Sequence, residues 1–132
     1  MAKTLAEKQT HLRMLLEVAK VDGHYSEIEG IYIRTVAKTL EIDPAELTGD
    51  FDRNKLSLPK YEYMLYSLFH RLLLMGIVDG VMQETQKDLC LEFGIRMGLN
   101  PSAVMEAIRY VEATKNASMP REVVAIFYKF LN

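Results

Sequence analysis

A gap-free internal correspondence, at a constant offset of 57 residues, limits what this chain can fold into more than any other feature. It sets Leu15-Leu16 on Leu72-Leu73, Val21-Asp22-Gly23 on Val78-Asp79-Gly80, Glu27 on Glu84, and Ile42-Asp43-Pro44 on Leu99-Asn100-Pro101. Between these anchors Ile33 falls on Cys90, Val36 on Phe93, Ala37 on Gly94 and Leu40 on Met97. Cap, turn and apolar residues keep their type across the offset, the pattern of a duplicated helix–loop–helix unit. Two units are too few for an open solenoid, so they are expected to pack on each other about a pseudo-two-fold axis.

The units read as helical throughout. Leu5, Leu12, Leu15, Leu16 and Ala19 form one apolar stripe, and Ile28, Ile31, Tyr32, Val36 and Leu40 a second. No segment alternates with period two between hairpin turns. Nearly all of the four prolines and seven glycines fall where a helix should start or stop. The spacing predicts an all-α fold of about seven helices in one domain, residues 1–132. Repeat one spans about 5–50, a polar connector 49–58, repeat two about 59–115, and a C-terminal helix 120–131.

Local chemistry sets the expected helix ends. The first helix runs from about Lys3 to Val21, with Gly23 past its end, where a left-handed residue is cheapest. Ser26 and Glu29 form a capping box that starts the second helix, which ends near Glu41. Asp43-Pro44-Ala45-Glu46 opens a short helix to about Asp50. Pro59 opens the long, mostly apolar helix that ends near Val78 and should lie at the centre of the core. Further helices are expected over Gln83–Met97 and from the Asn100-Pro101 cap, the latter burying Val104, Ile108 and Val111. After Pro120 the last helix should bury Val123, Val124, Phe127, Phe130 and Leu131.

Composition narrows the function. The chain has 132 residues, 49% hydrophobic and 26% charged, which fits a single folded domain. With a net charge of −2, no basic block and no RNP-like or zinc-finger spacing, it is not built as a nucleic-acid binder. Its one cysteine, Cys90, sits among Leu89, Leu91 and Phe93 and reads as a packed thiol. The first residues, MAKTLAEKQTHL, lack the apolar core of a signal peptide. The most apolar run, Tyr63 to Val78, carries His70 and Arg71 and falls short of the ~20 residues a bilayer needs. A cytoplasmic protein without a membrane span is expected.

Nothing in the sequence assembles a catalytic set. There is no GxSxG, P-loop or GxGxxG, and His11, His24 and His70 show no HxxxH pairing for zinc. No enzyme is expected. Tyr61, Tyr63 and Tyr66 cannot all face inward from one helix, because positions 61 and 63 point about 200° apart. Among the eight methionines, Met82 and Met119 are expected at the surface.

The repeated order of apolar helix, Asp-Gly, two variable residues, Ser or Thr, Glu-x-Glu and second apolar helix resembles the TerB-like domains of bacterial tellurite-resistance and related stress proteins. The resemblance covers about Leu12 to Met105. Asp22, Gly23, Ser26, Glu27 and Glu29 match the first motif in order and spacing. Asp79, Gly80 and Glu84 match the second, but Gln83 stands in place of the serine and Gln86 in place of the second glutamate. The resemblance implies a helical module whose acidic cluster takes a divalent cation and which works with membrane-associated partners.

Weighed physically, a hard cation such as Ca²⁺ wants six to eight oxygens, usually with two or more carboxylates. Asp22 and Glu29 flank one tight corner and Asp79 stands in the other, so these three are the candidate metal set. The loop is no EF-hand, since His24 and Ser26 occupy positions that need Asp or Asn. Capping and turn roles already account for Glu29 and Asp22 without a metal. Two functions are therefore expected to compete. One is a non-enzymatic module that docks a partner protein, reaching a membrane only through that partner; the other is a Ca-type cation binder at the acidic corners.

Overall fold

The computed structural model describes residues 3–115 and 120–130. Its described elements are six α-helices and one 3₁₀ turn, with no strand among them. They are α1 (Leu5–Lys20), α2 (Glu27–Leu40), the 3₁₀ turn (Pro44–Glu46), α3 (Glu62–Ile77), α4 (Glu84–Arg96), α5 (Pro101–Thr114) and α6 (Pro120–Lys129).

Several starts satisfy backbone N–H groups that the helix itself leaves orphaned. The Thr4 hydroxyl accepts from the Glu7 N–H, Ser26 and Glu29 form the reciprocal box, and Asn100 Oδ1 accepts from Ser102 and Ala103 behind Pro101. Both corners turn on a left-handed glycine, Gly23 at φ 82° and Gly80 at φ 101°, which a side chain would strain.

Two expected helices differ from their observed form. The seventh, expected over Pro44–Asp50, is a single 3₁₀ turn. Asp43 Oδ1 caps Ala45, but none of its residues is buried, so nothing rewards extending it. The central helix begins at Glu62 rather than Pro59, because the Pro59 ring is buried within the connector and Tyr61 is the extended cap residue.

Helix α3 packs against α1, α4, α5 and α6, and is the core element expected. The core pairs 57 apart are buried together. Ile33 and Cys90, Val36 and Phe93, Leu40 and Met97, and Ile42 and Leu99 are all buried, as are Ala37 and Gly94. In α6, Val123 and Phe127 are buried while Val124 and Phe130 are half-buried; Leu131 lies outside the described residues. Tyr66 is buried and stacks on Phe127, whereas Tyr61 and Tyr63 stack on each other at the surface.

Helix α2 does not bury the stripe its apolar spacing suggests. Its inner face is Glu29, Gly30, Ile33, Val36, Ala37 and Leu40, while Ile28 and Ile31 are 46% and 48% exposed. The capping box fixes this rotation. It turns Glu29 inward, and at about 100° per residue Ile28 and Ile31 then swing to the outside. Met82, expected at the surface, is buried instead, with its thioether laid over Gly76, which leaves room for it. Met119 lies outside the described residues. Among the described residues no helix is long and apolar enough to cross a membrane.

Candidate functional site

The two corners are built alike, and they meet. In the first, Asp22 Oδ1 accepts the His24 N–H at 3.0 Å, and Glu29 Oε1 accepts the Ser26 N–H at 2.9 Å. In the second, Asp79 Oδ1 accepts the Val81 N–H at 3.3 Å, and Gln86 Oε1 accepts the Gln83 N–H at 3.0 Å. Glu29 and Gln86 are both 1% exposed. The Gln86 amide closes the gap between the corners, donating to Glu29 Oε2 at 3.3 Å and to the Val18 carbonyl at 3.2 Å.

This arrangement separates the three candidate metal ligands. Asp22 and Asp79 each serve their own turn at the surface side of a corner, and Glu29 is enclosed. Among the described residues no three His, Cys, Asp or Glu side chains gather as a metal-holding group. Each oxygen of Glu29 has an N–H donor, so the Gln86 amide meets the buried carboxylate where a cation would otherwise have to.

The other reactive groups are enclosed or solvated. Cys90 is fully buried, its thiol directed at the Leu72 carbonyl at 3.8 Å, and burial pushes its pKa up to about 12, so it offers no thiolate at neutral pH. His70 is buried in α3, and His24 lies exposed in the first corner.

A different feature lies on the outside of α2. The outward strip of α2 consists of Ile28, Ile31, Thr35 and Thr39, with exposed Tyr25 at its foot. Thr35 and Thr39 turn their hydroxyls onto the carbonyls of Ile31 and Thr35, at 2.9 and 3.1 Å. That satisfies both hydroxyls within the helix and leaves the strip uncharged. Charge returns at its edge, with Glu27, Arg34 and Lys38. α2 itself packs chiefly on α1.

Fifty-seven residues on, the same positions of α4 are Thr85, Asp88, Glu92 and Arg96. The connector reaches across that face. Arg53 pairs with Glu92 at 3.2 Å, Arg96 with Glu92 at 2.9 Å, and Arg96 donates to Asn54 at 2.9 Å. The two units thus share an inner design and differ outside. One outer face is charged and tied to the connector; the other is apolar and bare among the described residues. Periodicity alone hid this, because Ile28 and Ile31 read as core.

Residues 1–49, a little over a third of the chain, match the model of the family described as Tellurite resistance protein TerB. The matched segment holds α1, the first corner with Asp22, Ser26 and Glu29, and the whole bare face of α2. No curated protein and no solved structure matches the chain.

Proposed function

We propose that this TerB-like chain is a non-enzymatic helical docking module of the stress and tellurite-resistance class, holding a protein partner on the outer face of α2. The observation that carries this reading is the uncharged strip of Ile28, Ile31, Thr35 and Thr39, beside a rim that includes Arg34 and Lys38. The fitting partner presents an apolar helix or strand with acidic residues at its edge, so that apolar contacts give affinity and charge gives register. The equivalent face of α4 is occupied by its own ion pairs and does not compete.

The test is affinity measured with a purified partner, first captured from the native cell. Replacing Ile28 and Ile31 together by Ser should weaken binding by about tenfold or more and leave the fold intact, since both side chains are half exposed. Unchanged affinity in the double variant would remove the α2 face from the account.

A second reading places a Ca-type cation at Asp22, Glu29 and Asp79. What favours it is a buried carboxylate, Glu29, in an acidic corner; the Gln86 amide on that carboxylate weighs against it. Thermal unfolding with Ca²⁺, Mg²⁺ or Zn²⁺ separates the two. A resident site stabilises the fold by about 2.7 kcal/mol at a hundred times Kd and so raises the midpoint, and Asp22→Asn abolishes the rise. A midpoint that no cation moves removes this reading.

A further inference from the structure

His11 of α1 is 2% exposed and lies between two cations. The Lys3 ammonium stands 3.3 Å from Nδ1, and the Arg71 guanidinium of α3 stands 3.4 Å from Nε2. A neutral imidazole has one N–H and one lone pair, and Lys and Arg are donors only. At most one of these contacts is therefore a hydrogen bond, and the other cation faces an N–H. Burial, then Lys3, then Arg71 hold the His11 pKa down to about 3, so protonation offers no way out near neutral pH.

Lys3, Lys8, Thr39, Leu40, Glu41 and Arg71 line an open depression of about 360 Å³ above this cluster. Among the described residues neither lysine nor Arg71 makes an ion pair. Burial and the neighbouring positive charges of Arg71 and Lys8 lower the Lys3 pKa, and only Glu7 opposes them. Tyr32 of α2 also feels the Arg71 charge. Three cations thus converge on one lined depression against a single lining carboxylate, Glu41, with Glu7 outside it. Such a site is short of one doubly charged anion.

We infer that this depression between α1, α3 and the end of α2 holds a phosphoryl group, gripped by Arg71 with Lys3 and Lys8. Arginine's planar fork fits two oxygens of a tetrahedral oxyanion, while the lysines add point charges from the other side. A phosphate dianion balances the excess that Glu41 leaves, which a single carboxylate does not. The depression is roomy enough for part of the molecule carrying the phosphoryl group, with Leu40 as its apolar wall.

The test is titration of the full chain at pH 7 and low salt with inorganic phosphate, and separately with phosphatidate vesicles, reading the His11 ring signals by NMR. Saturable shifts are expected, with the His11 titration moved to higher pH as the anion offsets its neighbours. Arg71→Gln should weaken binding about tenfold or more, whereas Lys60→Gln, outside the depression, should not. Lys3→Gln, which lies before α1, gives the same readout if Arg71→Gln fails to fold. Phosphate binding lost in these variants assigns a small soluble ligand; vesicle binding alone, lost likewise, assigns a lipid headgroup. No saturable shift with either probe, or equal binding in Arg71→Gln and Lys3→Gln, overturns the site.

Discussion

Gln86 donates its side-chain amide to the carboxylate of Glu29 at 3.3 Å, and the two residues stand 57 positions apart, at the same place in their respective corners. The contact ties the second corner directly to the first. The unlike pair is what lets the contact be buried. A carboxylate facing an amide is satisfied, and two carboxylates would face each other unsatisfied.

Gln86→Leu should therefore cost about 1–3 kcal/mol in urea unfolding, because Glu29 keeps its burial and loses a donor. Gln86→Glu should cost more at pH 7.5, since both amide bonds become oxygen facing oxygen. A buried acid pair has a folded pKa raised above its unfolded value, so its folded state holds the proton longer and the penalty relative to wild type should shrink toward pH 5. Equal penalties at both pH values would contradict this picture of the contact.

His11 gives the chain an acid sensitivity of its own. Its folded pKa of about 3 lies below the ordinary 6.5, so the unfolded chain takes up the proton first. The stability held above pH 6.5 is then lost as pH falls toward 3. Between pH 6.5 and about 4.5, wild type should lose about 1 kcal/mol per pH unit more than His11→Gln, which keeps an acceptor and does not titrate. Parallel stability curves would show that His11 is not held neutral by its surroundings.

Gly94 is a packing requirement rather than a flexible joint. A Cβ there would meet Val104 Cγ2 at 2.7 Å and the Phe69 ring at 3.2 Å, where α4 crosses α5 and α3. Val104 is β-branched and stiff, so Gly94→Ala should lose about 1–3 kcal/mol to overpacking, outweighing the gain of up to about 1 kcal/mol in helix propensity. Gly30→Ala is the contrast. Its Cβ meets the movable end of Arg34 at 3.3 Å, so the urea midpoint should hold or rise.

The parts of this structure legible in the sequence are those fixed locally. Caps at Ser26 and Asn100, glycines ending α1 and α3, and the matched burial of Ile33 with Cys90 all follow from short-range chemistry. The rotation of α2 does not. Ile28 and Ile31 carry the hydrophobic signal, whereas its inner face opens with Glu29 and Gly30, which carry none. Gln86 read as an acid that had been given up; only its contact with Glu29 shows it as that residue's partner. The grouping of Lys3, His11 and Arg71 was hidden by separations of eight and 60 residues.

The proposed docking face on α2 is tested most directly by photo-crosslinking in the native cell, with the same crosslinking side chain placed at position 31 of α2 or at position 88 of α4. Both sites are exposed and stand 57 residues apart, so each serves as the other's control. A single discrete protein adduct from position 31, absent from position 88 and lost when Ile28 is changed to Ser, is the predicted result. The same adducts from both positions, or none from position 31, would contradict the account.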